Sequence, residues 1–113
     1  GITDTTPLDT TDGVFFISAD GDAGLDFLVE KDNSATTTED VATMSDDTFI
    51  TTTFFLDKNA SQVFYSIDNA EPVGVAITNL PDDEELTVSF GIQNGEASAQ
   101  TMTIDYVVAA VER

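Results

Sequence analysis

The chain holds 113 residues with 22 Asp+Glu, 3 Lys+Arg, no His and no Cys, a formal net charge of -19. One domain is the expectation at this length, and 41% hydrophobic residues with eight Phe supply a core and exclude a disordered acidic tail. Without Cys or His there is no disulfide framework, thiolate nucleophile, zinc finger or Ser-His-Asp triad, which leaves oxygen-ligand metal sites and carboxylate chemistry.

Phosphate contacts need cations, and Lys31, Lys58 and Arg113 are the whole supply. Nucleic acid and anionic membrane surfaces are therefore excluded as partners. No apolar run is long enough for a spanning helix. No signal peptide or basic targeting segment is read, and a first residue that is Gly implies a processed, tagged or partial chain. The acidic excess suits solubility in high salt.

Seventeen Thr and an apolar set rich in β-branched and aromatic residues favour strands, with Asp-Gly, Asn-Gly and Asp-rich turns between them. Residues 1–12 read as an extended lead-in. A short strand follows at Val14–Ser18, bounded by Asp12-Gly13 and by Ala19-Asp20-Gly21-Asp22. In Leu25–Lys31, Leu25, Phe27 and Val29 share a face, with Leu28 the exception. Asp32-Asn33-Ser34 is a turn, Thr37–Met44 a weaker strand anchored by Val41, and Asp46-Asp47 another turn. Phe49–Asp57 is a strong strand, followed by the turn Asp57-Lys58-Asn59-Ala60. Gln62–Asp68 puts Val63, Tyr65 and Ile67 on one face; Asp68-Asn69-Ala70 is a hairpin without the usual Gly, and Val73–Ile77 returns. Pro81–Leu86 reads as a single helical turn capped by Asn79. Thr87–Gln93 groups Val88, Phe90 and Ile92, Asn94-Gly95 turns, and Ala99–Val111 groups Met102, Ile104, Tyr106 and Val108. The sum is about eight strands, with Phe90 and Ile104 expected in the core.

Five groups invite a chemical reading. Asp20, Asp22 and Asp26 lie on a Gly-permitted loop of the kind that holds calcium, but the spacing is not that of an EF-hand and a solvated hairpin turn explains it equally well. Asp82, Asp83, Glu84 and Glu85 form the densest acidic run, a cation or partner patch on one reading and a solvated face on the plainer one. Asp26 and Glu30 are four residues apart, without the close Glu-x-Asp-x-Glu pattern of glycosidases built on lectin-like sandwiches, so no catalytic site is assigned. Phe64 and Tyr106 have the chemistry to stack on sugar rings, although core packing is the preferred role and Trp is absent. Asn59-Ala60-Ser61 matches a glycosylation sequon that a turn also explains.

The stretch from Asn79-Leu80-Pro81 through the acidic run to Ser89-Phe90-Gly91-Ile92-Gln93-Asn94-Gly95, then Ile104-Asp105-Tyr106 and a final Glu112-Arg113, carries a resemblance. So does Phe64-Tyr65-Ser66-Ile67-Asp68-Asn69 followed by Val73-Gly74, where Asn69 stands in place of a usual Gly. Thr3-Asp4-Thr5, Asp12-Gly13-Val14-Phe15-Phe16 and Leu25-Asp26-Phe27 also fit. Together they resemble the concanavalin-like (lectin-like) jelly-roll virion structural proteins of tailed bacteriophages. The motifs mark turns and strand faces over most of the chain.

The resemblance implies an antiparallel β-sandwich or jelly roll with little or no helix, residues 1–113 forming a single domain that is the C-terminal part of a longer product. It implies a non-enzymatic capsid decoration (cement) or shell-associated role on the outer capsid surface of a virion. The partners it implies are copies of the chain, a trimer being favoured, and the major capsid protein. No catalytic, cofactor-binding or metal residues and no cofactor are assigned. The rival reading is a lectin-like glycan-binding module of a phage tail or fibre, which keeps a glycan open as partner. A weaker third reading is a secreted bacterial module of a larger enzyme.

Overall fold

The computed structural model describes residues 10–83, 85–93, 97 and 99–111. Six strands form among them, with no helix: β1 Gly13–Ile17, β2 Gly24–Lys31, β3 Ser34–Thr43, β4 Thr52–Asp57, β5 Gln62–Ile67 and β6 Val73–Ala76. They make two three-stranded antiparallel sheets in simple chain order, β1-β2-β3 and β4-β5-β6. The all-β expectation holds at that level.

Local chemistry sets the turns. Asp22 N–H donates to the Ala19 carbonyl across a turn whose Gly21 has φ +75°, a conformation glycine adopts without Cβ strain. Asp32 and Asn33 (φ 51° and 61°) form the two-residue β2–β3 hairpin, both residues being left-handed as a type I′ turn demands. Asp68 and Asn69 (φ 50° and 59°) do the same work after β5, because short polar side chains tolerate this region and Gly is not required. In the β4–β5 turn the Asp57 carboxylate accepts the Asn59 and Ala60 amides at 2.8 and 3.1 Å.

One irregularity shapes the first sheet. Leu25 pairs with Ala42 and Phe27 with Thr38, so β3 holds two extra residues there. Asp40 sits in this bulge at φ 54°, and its amide donates to the Asp26 carboxylate at 2.8 Å.

The two sheets share a core of Phe27, Val29, Val63, Tyr65 and Val75. Aromatic rings join the layers: Phe27 lies 4.8 Å from Tyr65 and 6.3 Å from Phe54, and Phe16 lies 6.5 Å from Tyr65 and 6.4 Å from Phe54. Thus β1 stacks over β4 and β2 over β5. Leu28 breaks the inward pattern because it pairs with Phe15 on the outer face of its sheet.

The sequence reading needs correction past β6. Residues 85–93 and 99–111 form no strand, and the Pro81–Leu86 helical turn is replaced by a bend at Asp82 and Asp83. Alternation specifies which side chains share a face, but a strand also needs a neighbouring edge for its amides and carbonyls. Phe90 and Ile104 are exposed rather than in the core. The Asn94-Gly95 turn and the lead-in over 1–9 lie outside the described residues.

Candidate functional site

The most prominent surface feature is an opening along the β1/β4 side. In β4, Phe54 and Leu56 oppose Tyr65 and Val63, so they point to the core face. Yet they remain 48% and 44% exposed while Tyr65 and Val63 are buried. The core is uncovered at this end. β1 and β4 are also outer strands of their sheets, and each has one edge with no strand paired to it among the described residues.

The segment after β6 reaches this opening by a fixed route. Ile77 and Leu80 pack against the core, and the Leu80 amide donates to the Ile77 carbonyl. The Asn79 side chain donates to the Thr36 hydroxyl of β3 at 3.0 Å. Lys31, at the end of β2, pairs with Asp82 and lies 4.0 Å from Asp83. From there residues 86–93 and 100–111 run along the cleft beside β1, the 44–54 connection and β4. Their alternating apolar side chains are all exposed, Tyr106 by 65% and Val108 by 83%.

The cleft encloses about 2340 Å³, against ~300–1,000 Å³ for sites that take a small molecule. Its size suits polypeptide. The whole chain exposes 8449 Å², where a compact monomer of this mass exposes about 6,000 Å². The exposed apolar rows sit in the part of the chain with least charge. Between Leu86 and Val111 only Glu96 and Asp105 are acidic, and nothing is basic.

Elsewhere the structure redirects the residues singled out from sequence. Asp22 accepts the Gly24 amide at 2.8 Å and Asp26 the Asp40 amide, while Asp20 is exposed in the turn. No three acidic side chains among the described residues are grouped to hold a metal ion. Asp82 and Asp83 are solvent-exposed, as on the plainer reading, and form a bend rather than a helix start; Asp82 pairs at the surface with Lys31, and Asp83 lies near it. The Lys31 hydrogen bond holds the Asp82 carboxyl below its usual range, and the same bond raises Lys31. Glu84 lies outside the described residues. Phe64 is not core: it stacks on Phe55 at 5.3 Å and 13° on the outer face of the second sheet. Tyr106 is not core either. Asn59 is exposed in the β4–β5 turn.

The half-exposed Phe54 and Leu56 were not foreseen. Their signal was present in the unbroken Phe54-Phe55-Leu56 run, which places large apolar groups on both faces of one strand. Among the described residues no helix is long and apolar enough to cross a membrane. Comparison of the chain with protein-family models, curated proteins and solved structures gives no match, so the functional argument stands on this open side and its exposed apolar rows.

Proposed function

We propose that the chain is a non-enzymatic structural subunit that works by burying its open side against other polypeptide. The observation that carries this reading is the conjunction of uncovered core residues Phe54 and Leu56 with exposed apolar rows at 86–92 and 102–108. An exposed apolar area of this extent is characteristic of interaction surfaces. Together with the resemblance in sequence, it supports a capsid decoration or shell-associated protein of a tailed phage. In that role the chain is a β-sandwich of jelly-roll type on the outer surface of the virion. It associates as a trimer and with the major capsid protein. Cyclic symmetry matches the three-fold and quasi-three-fold positions of a shell. An exterior carrying most of 22 acids faces away from packaged DNA.

Cryo-electron microscopy of the particle with which the chain is isolated tests the role. Density for the chain outside an icosahedral shell, at its symmetry axes, is the expected result. A chain found on no particle overturns it, and so does a chain confined to a tail fibre.

The glycan-binding reading has one observation in its favour, the Phe55–Phe64 stack on the outer face of the second sheet, with Phe55 exposed and Phe64 half-buried. Aromatic faces of this kind bind sugar rings. Retention on a glycan array that Phe55→Ala abolishes is the result that would replace the structural role with this one.

A further inference from the structure

We infer that the partner seated in the β1/β4 cleft is a second copy of this chain, which inserts its own residues 86–93 and 100–111 there as added strands. The inference deepens the structural-subunit reading and rests on it. Donor and acceptor are both on the page. The acceptor is the pair of unpaired edges at β1 and β4, with Phe54 and Leu56 uncovered between the layers. The donor is a segment with two rows of period-two apolar residues, Leu86, Val88, Phe90 and Ile92 in one and Met102, Ile104, Tyr106 and Val108 in the other. Period-two alternation is what a strand needs to bury one face against such a core. Adding a strand to an open edge also satisfies its amides and carbonyls, the general mode of β-augmentation.

The matching apolar rows and the area to be covered point to a copy of the same chain, and charge sets which segment it can insert. Two molecules of charge -19 repel wherever their acidic surfaces meet. The 86–111 segment carries two acids and no base, so it is the stretch through which copies approach at least electrostatic cost. The cleft it enters is lined by Asp12, Asp20, Asp22, Asp46, Asp47 and Asp105, so an inserted segment rich in acids would be repelled there. The surface exposed beyond that of a compact monomer is roughly 2,400 Å² per chain, and obligate homodimer interfaces bury about 2,000–5,000 Å² in total. The surplus therefore matches what a stable assembly of copies removes from water. The Cα radius of gyration of 14.4 Å agrees, since about 13.3 Å is expected for a compact chain of this length.

The test is light scattering on the full chain, combined with amide hydrogen exchange at two protein concentrations. The expected mass is at least twice the 12.0 kDa of one chain. Amides of 86–92 and 102–108 are expected to gain protection as concentration rises. The double variant Phe90→Asp, Ile104→Asp is expected to run as a monomer while keeping the β-sheet circular dichroism of the core. A wild-type monomer at high concentration overturns the inference, as does an oligomer whose mass survives the double variant. Should that variant fail to fold, the exchange data on the wild type decide alone. Protection equal at both concentrations means the segment pairs within its own chain, and the inference fails. A monomer that still decorates the particle sinks the exchange but leaves the structural role standing. A closed oligomer that is found on no particle supports the exchange and removes the role.

Discussion

At the scale of single residues, carboxylates do most of the local work, and they do it by accepting backbone amides. Asp12, Asp22, Asp26, Asp57 and Asp68 each hold an N–H of a turn, bulge or connection. An ionised carboxylate is the stronger acceptor. Asp12 is the clearest case. Its carboxylate takes the Asp32 amide at 3.0 Å, and that bond lowers its pKa, with help from the Thr11 hydroxyl. A lowered folded-state pKa means stabilisation that is complete above the ordinary carboxylate value and lost as pH falls through the lower folded value. The expected outcome is that acidification below about pH 4 frees the Asp32 amide to exchange before the core opens. Asp12→Asn should remove that pH dependence. Hydrogen exchange followed by NMR between neutral and acid pH checks both.

At the scale of elements, each strand is explained by what lies beside it. β2 and β5 are central and carry the buried Phe27, Val29, Val63 and Tyr65; β1, β3, β4 and β6 are edges and are more exposed. This was the most legible part of the sequence. Alternation in 25–31 and 62–68 located both central strands, and Asp-Asn pairs located two turns. What alternation did not reveal was pairing. Residues 87–93 and 99–111 alternate as well as β5 does, yet whether they become strands depends on an edge that period-two spacing does not encode. The surface ion pair of the acidic run was missed for a related reason. Its partner Lys31 lies 51 positions away from Asp82, beyond the reach of any local pattern.

The core assignment predicts unequal costs for two Phe deletions. Phe27→Ala should cost about 3–5 kcal/mol, the usual range for a large-to-small change at a fully buried aromatic. Phe90→Ala in the monomer should stay within about 0.5 kcal/mol, as for other exposed positions. Urea unfolding at low protein concentration gives both values. Equal losses would place residues 86–93 back inside the core.

At the scale of the whole molecule, the balance is between charge and apolar area. A net charge of -19 on 113 residues opposes contact between copies at low ionic strength. Salt shortens the reach of that repulsion, to about 10 Å at 0.1 M and about 3 Å at 1 M, and leaves apolar burial in place. Self-association should therefore strengthen as sodium chloride rises from tens of millimolar to molar. Sedimentation velocity across that range checks the sign. Association that weakens with salt would mean that ion pairs, not apolar burial, hold the copies together.

The bulge at Asp40 gives the molecule a direction. On the side opposite the cleft, β3 presents Glu39 and the kinked Asp40, and β6 is only four residues long. Charged, bent and very short edges are poor templates for further pairing. The cleft side is the flank that combines open edges with exposed apolar residues between the layers. On the strand-exchange reading, copies that swap segments reciprocally use up their valence as soon as they join, and a head-to-tail exchange stays finite only where its rotation closes a ring.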